Sequence, residues 1–221
     1  MENNTKKNNL EVSSLPIADI DEYFIHIYPD VPENCTEGFV GFVGNATNKD
    51  LRIEIEIDHK FMIEHNYVTM ALCCDRDDPL KATIVMTPRY FDMLRKTPYL
   101  LFELWHEVGH YHTNRYFNTQ YNEKGSANAI RLEYYKHGEV MPEERAADLF
   151  GLYYTSKKDA IQALCEAIKR RNTYSWEPKE TKEIAIEEFK RRKKILNNLD
   201  SDEKIRKALC QVCNVSNFYD I

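Results

Sequence analysis

The sequence predicts an α+β fold, and three observations carry that expectation. Residues 51 to 57 alternate apolar and charged side chains, the period of a strand with one buried face. Beyond Pro88, apolar residues recur at three- and four-residue steps, the period of helices. The strand signals precede the helical ones instead of alternating with them, which favours a segregated sheet over a doubly wound one. No internal repeat or low-complexity run interrupts residues 15 to 221. The 221 residues therefore read as a disordered lead-in over 1–14 and a single domain over 15–221. Within the domain a sheet lobe runs over about 15–97, with a small mixed or antiparallel sheet; a central helix over about 98–116 and a helical lobe over about 117–221 follow.

Taken in order, the first strand signal is GFVGFVG (38 to 44), less clean in period than LRIEIEI (51 to 57). In the latter, Leu51, Ile53, Ile55 and Ile57 form one face and Arg52, Glu54 and Glu56 the other. YVTMALCC (67 to 74) and KATIVMT (81 to 87) are further strands, separated by a turn at Asp77, Asp78 and Pro79. RYFDMLRK (89 to 96) makes a short helix. Thr97 then stands at the cap of a longer one, with Pro98 at its first position, where a missing N–H costs nothing. Leu100, Leu101, Leu104, Trp105 and Val108 make that helix apolar enough to be deeply buried. Four more helices follow near 142–155, 157–172, 178–198 and 201–213.

Composition narrows the function classes. A hydrophobic content of 43% and a charged content of 30% are ordinary for a soluble globular chain. A net charge of -6 argues against a nucleic-acid-binding surface. The basic runs KRR (169 to 171) and KRRKK (190 to 194) lie in carboxylate-rich helical stretches and read as solvated faces. No segment supplies the roughly 18 apolar residues needed to cross a bilayer. MENNTKKNNLEVSS lacks the apolar core of a secretory signal, so a cytoplasmic setting and reduced thiols are expected for the six cysteines. Cys210 and Cys213 fall among Ile205, Leu209 and Val212 at helical spacing, which favours core packing over a second metal site.

Chemistry enters with WHEVGHYH (105 to 112). His106 and His110 are four residues apart and leave one side of a helix, while Glu107 is rotated from the first by about 100°. In this H-E-x-x-H arrangement two imidazoles hold zinc and the carboxylate acts as general base toward water. Glu103–His106 and Glu107–His110 also read E-x-x-H. A di-iron site needs two such pairs on different helices, and these overlap on one. Glu103 is expected in a salt bridge, and His112, off the metal face, in surface or hydrogen-bonding use. A hydrolytic zinc site takes a third protein ligand, for which EERAADLFG (143 to 151) is the best source. Glu144, Asp148 and Gly151 share one helix face, and Ala146, Ala147 and Gly151 allow close approach to another helix. Glu143 also lies in the right place along the chain, but on a face about 100° away, in a first turn where a carboxylate favours the helix N-terminus.

HEVGH followed by E-x-x-A-D-x-x-G, from Glu144 to Gly151, resembles the glutamate-type zincins, or gluzincins. The second motif looks most like the prenyl-protein and stress metalloproteases of that group, and HEVGHY on a short chain resembles the ImmA/IrrE-like metallopeptidases. The likeness covers roughly residues 81 to 155. It implies a zincin-like fold with one zinc per chain, His106, His110 and Glu144 as ligands, and Glu107 as general base. It also implies that Asp148 accepts a hydrogen bond from a ligand imidazole, raising its basicity. Strand 81 to 87, through Thr83, Ile84, Val85 and Met86, would be the edge along which a peptide substrate lies. Many gluzincins place a histidine or tyrosine downstream of the third ligand to stabilise the oxyanion. Here no histidine follows Glu144, so Tyr153 and Tyr154 are the downstream candidates, with His137, which precedes Glu144, as a further one. The expectation is a cytoplasmic zinc endopeptidase acting on a protein or peptide, without nucleic acid or membrane span. The rival is a zinc-bearing regulatory domain of the same fold with little hydrolysis, against which the intact Glu107 weighs.

Overall fold

The computed structural model describes residues 23–32, 35–46, 48–61, 70–74, 81–94, 96–117, 127–175, 178–218 and 221. The expected lead-in over 1–14, the turn at Asp77, Asp78 and Pro79, and positions 67–69 of the third expected strand lie outside them. The chain forms two compact units, residues 1–91 and 92–221. The first carries the sheet and the second the helices, an α+β arrangement.

Five strands build the sheet: β1 (Tyr23–Ile27), β2 (Glu37–Asn45), β3 (Arg52–Asp58), β4 (Met70–Cys74) and β5 (Ala82–Met86). Their order is β1-β2-β3-β5-β4, with β3 and β5 parallel and the other neighbours antiparallel, so the sheet is mixed. β3 shows the expected alternation: Ile53, Ile55 and Ile57 are buried in the core, and on the other face Arg52 pairs with Glu54. The irregular period of β2 has a cause in its pairing. A bulge between Phe39 and Gly41 leaves Val40 without a partner on β3, and Val40 and Gly41 are both buried although adjacent. A Cβ on Gly41 would stand 2.1 Å from the His26 carbonyl oxygen, so no larger residue fits between β1 and β3 there.

Two features depart from the sequence reading. β1 was not expected, because its outward positions are aromatic rather than polar and hide the alternation. Phe24 is 44% exposed. It and His26 lie against Phe42, over whose ring Arg52 sits at 4.1 Å. The second departure is a correction. Thr83, Ile84, Val85 and Met86 do not form an edge: β5 is hydrogen-bonded to β3 on one side and to β4 on the other. Its backbone donors and acceptors are consumed within the sheet, leaving none to pair with a peptide. Among the described residues the edges are β1 and β4.

α1 (Pro88–Leu94) follows β5. A 3₁₀ turn at Pro98–Leu100 then leads into α2 (Leu101–Thr113), and a second at Asn114–Tyr116 ends it. Thr97 does occupy the cap position, but its hydroxyl makes no capping bond; its carbonyl accepts from the Leu100 N–H instead, at 3.0 Å. Next come α3 (Ala127–Lys136), α4 (Pro142–Tyr153), α5 (Lys157–Thr173), α6 (Lys179–Asn197) and α7 (Asp202–Cys213). The last four match expectation within two residues at each end. α5 and α7 begin at Ser156 and Ser201, whose side chains accept from Asp159 and Lys204 backbone N–H groups. α3 was not foreseen: ANAIRLEYYK has only two branched aliphatics, too few for an apolar stripe that declares itself, and the helix is held by packing on α6. Arg191 donates from α6 to the Tyr135 carbonyl at its end.

The helical core is built around the contact of α2 with α4. Phe102, Leu104 and Val108 of α2 and Ala146, Ala147 and Leu149 of α4 are all buried. Glycine sets how close the helices come. A Cβ on Gly109 would lie 2.9 Å from the Ala147 Cα and carbonyl oxygen, and one on Gly151 would lie 3.2 Å from the His106 nitrogen. Backbone thus runs against backbone beside the motif, which lets short side chains from two helices meet.

Candidate metal centre

α2 presents His106 and His110 one turn apart, and α4 presents Glu144 from its first turns. Their ligating atoms all lie within 4.8 Å of one another. The two Nε2 atoms are 3.1 Å apart. Glu144 Oε2 is 3.5 Å from His106 Nε2, and Oε1 is 4.0 Å from His110 Nε2. Zinc–nitrogen bonds near 2.0–2.1 Å in a tetrahedron place two ligand atoms about 3.3–3.4 Å apart. The three groups therefore fit one such ion with small side-chain rotations, and two imidazoles with a carboxylate are an ordinary donor set for it. Among the described residues this is the one group of three His, Cys, Asp or Glu side chains that could hold a metal.

The surroundings of the cluster orient it. His106 Nδ1–H donates to Asp148 Oδ1 at 2.9 Å, which fixes the tautomer and turns Nε2 toward His110 and Glu144. His110 Nδ1 is held in the same way by the Asn114 Oδ1 atom, at 3.3 Å. Asp148 is 2% exposed. Burial raises its pKa, but the Arg192 guanidinium and the hydrogen bond from His106 outweigh that and hold it below the usual carboxylate range. In the metal-free protein, burial and Arg192 oppose a second proton on His106, yet bonds to Asp148 and Glu144 raise its pKa above the usual value. Burial and the charge on His106 push His110 the other way, down. The two shifts run in opposite directions, as expected of imidazoles whose Nε2 atoms lie 3.1 Å apart.

Glu107 follows His106 on α2, half-buried, and is not part of the converging triad. Glu143, next to Glu144, is likewise outside the triad. Burial, then the negative charges of Glu144 and Glu188, push its pKa up to about 8. The favourable N-terminal position expected for its charge is therefore outweighed by crowding with two other carboxylates. Tyr153, Tyr154 and His137 are not members of the converging triad. Tyr154 stacks on Trp105 at 5.2 Å and packs on Phe150, and Tyr153 lies against Phe218. His137 is exposed in the turn after α3. His112, expected in polar use, stacks on Phe150 at 5.2 Å with nearly parallel rings.

The residue that the sequence reading missed is Arg192. It sits in the KRRKK run read as a solvated face, yet it is 7% exposed. Nε and Nη2 donate to the two oxygens of Asp148 at 2.7 and 2.6 Å, and Nη1 donates to Glu144 Oε2 at 2.9 Å. A signal existed: Glu188, Arg192 and Leu196 recur at four-residue steps, and all three are buried. Arg170 from the other basic run also turns inward, ion-paired with Glu103 at 2.8 Å, so Glu103 is engaged as expected. Cys213 packs in the core beside Ile205 and Leu209; burial, then Cys210, push its thiol up to about 12, and all six cysteines are free. No helix among the described residues is long and apolar enough to cross a membrane. Comparison of the chain with known families, characterised proteins and solved structures finds no match.

Proposed function

We propose that this chain is a zinc-dependent endopeptidase, and that its helical unit carries a zincin-like active centre. The observation behind the reading is the convergence of His106, His110 and Glu144 within 4.8 Å, with a glutamate directly following the first histidine. A zinc ion held by these three side chains would supply Lewis acidity, polarising a scissile carbonyl and making water more acidic. The protein's own groups do the rest. His106 is aimed by Asp148 and His110 by Asn114, so both imidazoles turn Nε2 toward the ligand set. Glu107 takes the proton from the attacking water and delivers it to the departing amine nitrogen. The motif stands in a buried helix, with Leu104, Trp105 and Val108 all in the core. Six free thiols fit a reducing, cytoplasmic setting.

Metal-loaded protein incubated with a peptide library, with Glu107→Gln as control, tests the proposal. The wild type should cleave internal bonds. The variant should keep its metal and fold while losing about 10²–10⁴ in rate. Cleavage by the variant at wild-type speed, or none by the metal-loaded wild type, refutes it.

A further inference from the structure

We infer that Arg192 is a positioning residue for the metal centre: it holds Glu144 and Asp148 in the geometry that makes one a ligand and the other a partner of His106. The inference rests on the assignment of His106, His110 and Glu144 as a metal site, not on peptidase activity. Three observations carry it.

Arg192 comes from α6, so the site is assembled from three helices, not two. Its planar fork matches the Asp148 carboxylate with two bonds, at 2.7 and 2.6 Å, and its remaining terminal nitrogen reaches Glu144 Oε2 at 2.9 Å. One rigid group therefore spans two side chains four residues apart on α4, and neither can swing without breaking a charge-assisted bond. The bond from Arg192 takes one of the roughly four acceptor sites of the ionised Glu144 carboxylate. Oε2 faces His106 at 3.5 Å while bound to Arg192.

Charge supplies the second reason. Glu144 and Asp148 are both poorly exposed, with side chains 13% and 2% accessible. Two carboxylates so placed repel each other and the ligand set would spread before any ion arrived. A fixed guanidinium between them offsets that repulsion and favours the convergence of Glu144 with the two histidines. Arg192 also approaches His106 Nδ1 at 3.3 Å, but that ring nitrogen already donates its hydrogen to Asp148 at 2.9 Å, so the arginine acts on the imidazole through Asp148. The third reason is burial. A long basic side chain taken out of water in a run where Lys190 and Lys194 are exposed has no need to be there unless its partners require it.

The test measures zinc affinity of the full chain by chelator competition, with circular dichroism confirming the fold, alongside the visible spectrum of the cobalt-loaded form. Arg192→Lys keeps the charge and loses the fork; Arg192→Gln loses the charge. Both should bind zinc more weakly, by on the order of 10- to 100-fold, the range seen when partners of metal ligands are removed. Both cobalt spectra should change as Glu144 loses its orientation, which a purely stabilising residue would not cause. Wild-type affinity with a wild-type spectrum in either variant overturns the inference, and so does tighter binding by Arg192→Gln, which would mean that the charge only repels the metal. Should Arg192→Gln fail to fold, Arg192→Lys decides alone. Wild-type protein that binds no zinc overturns the metal assignment itself, and is seen before any variant is made.

Discussion

Asp148→Asn exchanges one carboxylate oxygen for an NH₂ group and disturbs the hydrogen bonds of that side chain to His106 and Arg192. Asp148 Oδ1 accepts from His106 Nδ1–H at 2.9 Å and from Arg192 Nη2 at 2.6 Å, and Oδ2 accepts from Arg192 Nε at 2.7 Å. All three partners are donors. With its oxygen at the Oδ1 position, an asparagine amide turns its NH₂ onto the Arg192 Nε–H. With the amide flipped, the NH₂ faces both His106 and Nη2. No orientation satisfies the site, and the guanidinium loses the charge it was buried against. Breaking a buried ion pair on one side costs about 3–5 kcal/mol, or roughly 6–20 °C in melting temperature for a domain of this size. Zinc affinity should fall by around 10- to 100-fold as the His106 ring loses its orientation. Melting curves of metal-free and metal-loaded protein give the first quantity and chelator competition the second. A variant that melts and binds zinc like the wild type would show that Asp148 does not hold the site together.

Glu144→Ala should strip or greatly weaken zinc, whereas Glu143→Gln should leave it bound, as metal analysis after dialysis will show; the opposite pattern would mean α4 is rotated from the orientation described. Glu143 has a second consequence in metal-free protein. Its pKa of about 8 lies above the ordinary carboxylate value of 4.5, so it costs stability as pH rises between those values. The melting temperatures of wild type and Glu143→Gln should agree near pH 4.5 and the variant should melt higher near pH 8.5. Equal curves at both would remove the crowding argument. Gly109→Ala forces a methyl to within 2.9 Å of the Ala147 backbone. Overpacking of this kind costs about 1–3 kcal/mol, readable as a lower melting point, and an unchanged one would deny the close approach of α2 and α4. Metal analysis should find one zinc per chain; a second equivalent that survives His106→Ala would point to Cys210 and Cys213.

By itself the sequence determined what local chemistry can specify. The helical period placed α4, α5, α6 and α7, and the alternation of LRIEIEI placed β3, because backbone geometry repeats every 3.6 or 2 residues whatever surrounds it. The four-residue step of His106 and His110, and the shared face of Glu144 and Asp148, follow from the same geometry. What pairs with what was decided only in three dimensions. Nothing in KATIVMT says whether it is an edge or an interior strand, since that depends on a neighbour placed between β3 and β5 in the chain but beyond β5 in the sheet. Nor does KRRKK say which of its cations enters the core. Arg192 alone reaches the metal centre because α6 packs on α4 with that side turned inward, and the desolvation of a guanidinium is tolerable only where two carboxylates from another helix already wait.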